Sequence, residues 1–464
     1  MHETLIANSD KAIPVLAVFE EDLEAALSAP RDQALAKAQR FKGQAGGLVL
    51  VSGDDGAIER VWFGLGKQAN PDAMALRSLS ARLPDGDYVL TLSSDRLIAP
   101  DSLALGWALG TYVFDRYKPQ KERQRPRLVT PKGAHAAAVQ RIAAACALAR
   151  QMVDTPAADM GPLQIETIAR EIAEDHGARI EVTSGAELAE GYPAVHAVGR
   201  AADPSRGPRI IEITWNGDRT DLPLLALVGK GVVFDSGGLD IKPSSGMRNM
   251  KKDMGGSAHA LALGRLVMQA GLAVRLKVLV PAVENAISGD AFRPGDVLKS
   301  RKGLTIEIGN TDAEGRLILA DALARAGEHE PDLTIDFATL TGAARVALGP
   351  ELPPFYTDDD VLAAAILEAS RAVSDPVWRM PLWRGYREAV EAEIADLRND
   401  SADWAQAGSV TAALFLQRFA PESGSWVHFD IFAWNPRGRA GWPAGGEAQA
   451  LRACFEMLKG RYGV

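Results

Sequence analysis

Hydrophobic and polar positions follow two different rhythms along this chain. Before about residue 130, short apolar runs at 47–51 and 88–92 predict strands, and the spacing over 20–27 predicts a helix. Residues 117–131 turn basic and polar and carry three prolines, which reads as a surface connection. An Ala-rich helical pattern follows at 134–152 and stops before Asp154-Thr155-Pro156. Beyond it, strand runs at 180–182, 210–215, 222–228, 276–280 and 333–337 are interleaved with helical runs at 163–173, 258–268 and 317–326. The run at 222–228 is almost unbroken in apolar residues, as a strand buried on both faces requires. This succession predicts an α/β fold: a mostly parallel, mixed sheet sandwiched by helices in a larger domain, with a smaller N-terminal α/β domain. Asn216-Gly217 between two strand runs predicts one antiparallel pairing at a sheet edge. The predicted boundaries are an N-terminal domain at 1–130, a linker helix at 131–152 and the larger domain at 153–464.

Composition narrows the class without naming it. With 464 residues, 47% hydrophobic and 24% charged, the chain is of ordinary globular make-up and long enough for two cores. A formal net charge of -9 argues against nucleic acid and anionic membranes as partners, because both are bound through basic patches. The N-terminus shows no basic region followed by an apolar run, so no secretory signal is expected, and no segment approaches the roughly 20 apolar residues that span a bilayer. The two cysteines, Cys146 and Cys454, read as reduced buried thiols of a cytoplasmic protein.

The chemistry concentrates in two stretches. Asn310-Thr-Asp-Ala-Glu-Gly-Arg-Leu317 crowds Asp312, Glu314 and Arg316 at a loop-to-helix junction, with Gly315 expected to let the backbone turn tightly there. Acids at a helix start also complement the helix dipole, so alone the cluster signifies little. The second stretch follows the buried run: Gly229-Lys-Gly-Val-Val-Phe-Asp-Ser-Gly-Gly238, then Lys242, then Met250-Lys-Lys-Asp-Met-Gly-Gly256. Ligand sites in open α/β sheets lie outside the carboxyl ends of strands, where this Gly-rich stretch falls. The motif argues against a phosphate-binding loop, since Leu225 stands where its first glycine belongs and Gly231 where its Ser or Thr belongs. Several carboxylates meeting in a cleft need cations, and with no His or Cys in either stretch the site expected is oxygen-rich and suited to Mg, Mn or Zn. A lysine beside such cations is expected to have a lowered pKa and a neutral amine, whereas a charged one stabilises a developing oxyanion. The seven histidines are scattered singly and read as structural or solvated.

Together, Val228 to Gly238, Lys252 to Gly256, Asn310 to Leu317 and Asp336 to Ala343 resemble the motifs of the leucyl aminopeptidase family, the M17 dimetal exopeptidases, over about the last 310 residues. The resemblance implies that Lys230, Asp235, Asp253 and Glu314 ligate one divalent metal, Mn or Zn. Asp235, Asp312 and Glu314, with the Asp312 carbonyl, would ligate a second. It implies that Lys242 polarises the scissile carbonyl and that Arg316 holds a bicarbonate ion acting as general base. A water shared by the two ions would attack the first peptide bond of a substrate with a free N-terminus. Met250, Asn310, Thr339, Leu340 and Gly342 match the first side-chain pocket, which implies a Leu-like or other apolar preference. Phe432 and Trp434 depart from the small residues that the family carries after His428-Phe-Asp-Ile431. A homo-hexamer in the cytoplasm is implied as well.

Three other functions compete. Some members of the family bind DNA, which a net charge of -9 does not favour. A metal phosphoesterase would not call for a lysine ligand, and a non-catalytic homologue would be expected to have lost at least one of Lys242, Asp312, Glu314 or Arg316.

Overall fold

The computed structural model describes residues 4–94, 98–118, 125–401 and 406–463. Met1 to Glu3 and part of the predicted basic connection, 119–124, lie outside the described residues. The chain forms two compact units, residues 1–147 with 437–444 and residues 148–436 with 445–464.

The first unit is built on a six-stranded sheet. Its strands are β1 (Leu5–Ile6), β2 (Ile13–Phe19), β3 (Leu48–Ser52), β4 (Ile58–Gly66), β5 (Asp87–Leu92) and β6 (Arg127–Val129), in the order β1-β6-β5-β2-β4-β3. All neighbours are parallel except the edge pair β3–β4. The predicted helix at 20–27 is only a 3-10 turn, Glu20–Asp22, and one helical turn, Leu23–Ala26. Pro30 opens a separate helix and confines Ala29 before it to extended backbone, which stops the pattern from running on.

The second unit carries a nine-stranded sheet. Its members are β7 (Arg179–Ser184), β8 (Arg209–Trp215), β9 (Leu224–Gly229), β10 (Gly231–Asp235), β11 (Arg275–Asn285), β14 (Leu333–Ala338), β15 (Pro354–Tyr356), β16 (Trp378–Arg379) and β18 (Ser425–Asp430). A separate small sheet joins β12 (Val297–Lys299), β13 (Thr305–Glu307) and β17 (Leu397–Arg398). In the large sheet β18, β14, β9 and β11 run parallel side by side, and β10 extends β9 along β11. Every residue of β9 and β14 is buried, which accounts for the unbroken apolar run of β9, while β14 buries Thr334 and Asp336 as well. Alternate side chains face opposite ways. Ala226, Val228 and Leu279 join the core around helix Gly315–Gly327, while Leu227, Val278 and Leu276 approach Gly264 of helix Gly255–Ala270. Antiparallel pairing does occur at the β7–β8 edge. Asn216-Gly217 does not make it as a hairpin, however: β8 pairs with β7 and β11, and β9 lies beyond β11.

The parallel strands end together. Phe337 of β14 is in register with Gly229 of β9, Ala338 with Asp430 of β18, and Asp235 of β10 with Asn285 of β11. The residues just past those ends, Lys230, Ser236 and Thr339 among them, are thereby delivered to one edge of the sheet.

Candidate metal centre

Lys230 leaves β9 and is 3% exposed at its side chain. Its ammonium lies 2.7 Å from Asp253 Oδ2 and 2.8 Å from Glu314 Oε1. Asp253 sits in the 3-10 helix Met250–Met254 and Glu314 is the residue before helix Gly315–Gly327. Glu314, at the N-cap of that helix, makes no capping hydrogen bond and pairs with the lysine instead. Gly315 works differently from the tight turn expected of it. A Cβ there would stand 2.5 Å from Lys230 Cε, so glycine is what allows the lysine past the helix start.

Lys242 binds the other pair. Its ammonium is 2.8 Å from Asp235 Oδ2 and also contacts Asp312 Oδ1. The loop between them needs Gly237, whose φ is +89° and whose Cβ would lie 2.5 Å from the Asp240 carbonyl oxygen. Asp235, Asp312 and Glu314 present carboxylate oxygens within 4.8 Å of one another. The cluster opens at Lys242 and Asp312, whose side chains are 14% and 33% exposed.

Charge balance explains the protonation of each group. Burial pulls the Lys230 pKa down, but Asp253, Glu314 and Asp235 outweigh it and hold it well above the lysine range. The expectation of a lowered lysine pKa assumed cations as neighbours; with carboxylates as neighbours the balance is reversed. Lys242 is raised in the same way, burial being overcome by Asp235 and Asp312. Burial and the nearby Asp235 carboxylate push Glu314 and Asp312 up, against the pull of their lysines. Asp253 goes down, because Lys230 and Lys252 overcome its burial. Asp253 Oδ2, Asp312 Oδ1 and Glu314 Oε1 meet their lysines at ion-pair distance but outside hydrogen-bond angles. Carboxylate lone pairs that are buried, crowded and not aimed at by a donor suit divalent cations, so the donor set fits the expected metals.

Several partners had no role in the sequence reading. Asn285 Nδ2 donates to Asp235 Oδ1 at 2.8 Å and to the Thr311 carbonyl at 3.1 Å. Lys252 Nζ is 3.3 Å from Asp253 Oδ1. Asn399 accepts from Gly309 N–H and donates to the Asn310 carbonyl, fixing the loop that carries Asp312. Asp430 Oδ1 accepts from the backbone N–H groups of Leu340 and Thr341, and its Oδ2 from the hydroxyls of Thr341 and Ser409. Asn285 and Asp430 close two parallel strands, and that position was their signal.

A cavity of about 270 Å³ adjoins the cluster, lined by Asp312, Arg316, Asn310, Leu340 and Gly342 among others. Burial lowers the Arg316 pKa, and its Nε donates to no acceptor among the described residues. Thr339 is turned to Asp253, its hydroxyl donating to Oδ1 at 2.8 Å, and Met250 opens the short helix that bears Asp253. Neither lines this cavity. Phe432 and Trp434 are half-buried, each with a cation over its ring: Arg345 and Lys252 on Phe432, Lys251 on Trp434.

His259 and His428 are buried, and His428 is held on Asp336. Cys146 and Cys454 are buried and form no disulfide. No described helix is long and apolar enough to cross a membrane.

The same architecture recurs in known proteins. Residues 147–455 match the cytosol aminopeptidase family, catalytic domain, and residues 13–131 the M17 aminopeptidase N-terminal domain. A probable cytosol aminopeptidase of Syntrophotalea carbinolica is 38% identical over 476 aligned positions, covering 96% of this chain and 94% of that one. The crystal structure of cytosol aminopeptidase from Coxiella burnetii superposes with a TM-score of 0.92 at 42% identity, over 99% of both chains. The bottromycin maturation enzyme BotP in complex with Mn gives 0.87 at 32% identity, over 98% of this chain and all of that one. With both units matched and close relatives along nearly its whole length, the chain belongs to the cytosol aminopeptidase family, M17, and is a metal-dependent aminopeptidase.

Proposed function

We propose that the chain binds two divalent cations in the carboxylate cluster and uses them to release the first residue from peptides with a free N-terminus. The observation that carries this is the meeting of Asp235, Asp312 and Glu314 within 4.8 Å, beside two lysines, at the edge where the parallel strands end. Lys230, its ammonium giving up a proton as the cation binds, would hold one ion with Asp235, Asp253 and Glu314, and Asp235, Asp312 and Glu314 the other, with the Asp312 carbonyl. When bound, the ions supply Lewis acidity toward water and the scissile carbonyl. The Mn complex of BotP favours manganese, and zinc suits the same donors.

The chain's own groups do the remaining work. Lys242 stays protonated at the open side of the cluster, where its ammonium meets the negative charge that develops on the carbonyl oxygen. Arg316 Nε, unpartnered beside the cavity, suits a small anion such as bicarbonate, which would accept the proton of the attacking water. Asn285 and Thr339 orient Asp235 and Asp253. Leu340 and Gly342 give the cavity apolar lining for the first side chain. The names of the relatives support a cytoplasmic location, and the family resemblance supports a homo-hexamer. None of those names points to a DNA-binding role.

The test is hydrolysis of leucine p-nitroanilide and dipeptides after chelation and refilling with Mn or Zn, with metal content measured alongside. Activity should disappear on chelation, return with about two ions per chain and be absent on N-blocked peptides. Turnover that survives chelation, or equal turnover of blocked and free peptides, would sink the proposal.

A further inference from the structure

Arg345 is a cation close to the site, in the helix that Gly342 opens. Its guanidinium carbon lies 4.4 Å from the centroid of the Phe432 ring, and its Nη1 makes one long hydrogen bond, 3.4 Å, to the Thr341 carbonyl. Among the described residues no carboxylate stands at ion-pair distance from it. The lysines around the cluster are matched, Lys230 to Asp253 and Glu314, Lys242 to Asp235 and Asp312, Lys252 to Asp253, whereas Arg316, like Arg345, makes no ion pair among the described residues. Asp430, whose field also reaches Arg345, already accepts four hydrogen bonds. Burial lowers the Arg345 pKa, the direction expected of a desolvated charge that lacks compensation.

The guanidinium is held in place beside the cavity, whose lining includes Thr341, Gly342 and Ala343 just before it but not Arg345 itself. Phe432 N–H and Ala433 N–H both donate to Gln449 Oε1 at 2.9 Å, and Ala433 takes the left-handed backbone, φ +54°, which fixes where the Phe432 ring stands. The same ring has Lys252 Nζ at 5.7 Å, so it links Arg345 to the group that pairs with Asp253. Gly342 lines the cavity that contains Asp312, and a Cβ on Gly342 would lie only 3.6 Å from Arg345 Nη2. With its carbon 4.4 Å from the ring centroid and one N–H on the Thr341 carbonyl, the guanidinium has further N–H groups for a ligand, and its planar fork matches a carboxylate.

We infer that Arg345, stacked on Phe432, makes the pocket for the first side chain selective for acidic residues, Glu or Asp. This rests on the aminopeptidase reading and changes its substrate class from apolar to acidic. The carboxylate of the substrate would supply the missing counter-charge, and a lysyl or arginyl first residue would be repelled.

The test compares kcat/KM for Glu-Ala, Asp-Ala, Leu-Ala and Lys-Ala with the manganese-loaded enzyme. Glutamyl or aspartyl substrates should exceed lysyl by at least about tenfold, and R345M should lower the Glu-to-Leu ratio by about tenfold. R345K, which keeps the charge and loses the fork, should fall between. A purely structural role for Arg345 would scale all four substrates together. Acidic substrates no better than lysyl, or a ratio unmoved by R345M, overturns the inference while leaving the peptidase intact. Failure to cleave any of the four strikes at the peptidase reading and takes this inference with it.

Discussion

Replacing Gly315 with alanine tests the geometry of the cluster at one atom. Gly315 is the first residue of a helix and has no left-handed φ, so its backbone accepts alanine, and helix propensity alone would favour the change by up to about 1 kcal/mol. Against this, the new Cβ would stand 2.5 Å from Lys230 Cε and 2.6 Å from Nζ. Lys230 is buried and pinned by two carboxylates, so moving it carries an overpacking cost of about 1–3 kcal/mol. Net stability therefore falls by about 0–2 kcal/mol. The larger loss is functional. An interaction with a charged group contributes about 1.5–3 kcal/mol, and losing one contact of about 2 kcal/mol corresponds to about thirtyfold. G315A should thus lower kcat/KM on the enzyme's best dipeptide by at least about thirtyfold, while its melting temperature drops only a few degrees. Both are read on the manganese-loaded enzyme, with metal content determined. Wild-type kcat/KM and wild-type metal content in G315A would refute the claim that the position of Lys230 matters.

E314Q replaces the carboxylate shared by both expected ions with a neutral amide, and metal-dependent turnover should vanish; unchanged turnover would reduce Glu314 to a helix-start residue. K242M should depress kcat by about 10²–10³-fold with a much smaller change in KM, since its charge acts mainly in the transition state; a loss confined to KM would contradict that role. Chelation should abolish activity yet leave far-UV circular dichroism at 25 °C intact, because lysines already neutralise most of the cluster; unfolding on chelation would refute this. His259 donates through Nδ1 to the Gly255 carbonyl and accepts at Nε2 from Gln449 N–H, so it is held neutral and its pKa is pushed down by burial to about 4. A base whose folded pKa is depressed contributes stability that is full above its unfolded value of 6.5 and is lost as pH falls toward 4, about 3 kcal/mol in all. The urea midpoint should fall across that window in the wild type and less so in H259Q; parallel profiles would argue against it.

What could be read from the sequence follows from how local each signal is. β9 showed itself because burial on both faces leaves no polar position, and β14 because Thr334 and Asp336 alternate with Leu333, Ile335 and Phe337. β18 stayed hidden although all of it but Ser425 is buried, and its His428 and Asp430 are satisfied only by partners far away, Asp336 and the 340–341 turn. The charged residues of the cluster were visible as motifs. Their supports were not: Asn285, Asn399 and Asp430 act across 26 to 90 positions, and beyond the strand ends that Asn285 and Asp430 occupy, nothing in their own neighbourhoods reveals it. Arg345 read as an ordinary helical residue. Its lack of a counter-ion among the described residues shows only in three dimensions, where the turn at 432–433 brings the Phe432 ring against it.

The lysines explain how such a cluster can fold before any cation arrives. Four crowded carboxylates alone would repel one another and take up protons, as the upward shifts of Glu314 and Asp312 show even with lysines present. Three ammonium groups, from Lys230, Lys242 and Lys252, bring the cluster close to neutrality and fix each oxygen to within a few ångströms of its place. Their contacts at Asp253 Oδ2, Asp312 Oδ1 and Glu314 Oε1 are electrostatic rather than directed, so a cation entering there displaces no well-formed hydrogen bond at those three oxygens. Hydrogen bonds from Asn285 and Thr339 occupy the opposite oxygens of Asp235 and Asp253 and keep the carboxylate planes oriented. One set of donors therefore sets direction and another sets charge. The second set is the one that divalent cations can relieve, which is why a site this crowded can be both pre-formed and ready to bind.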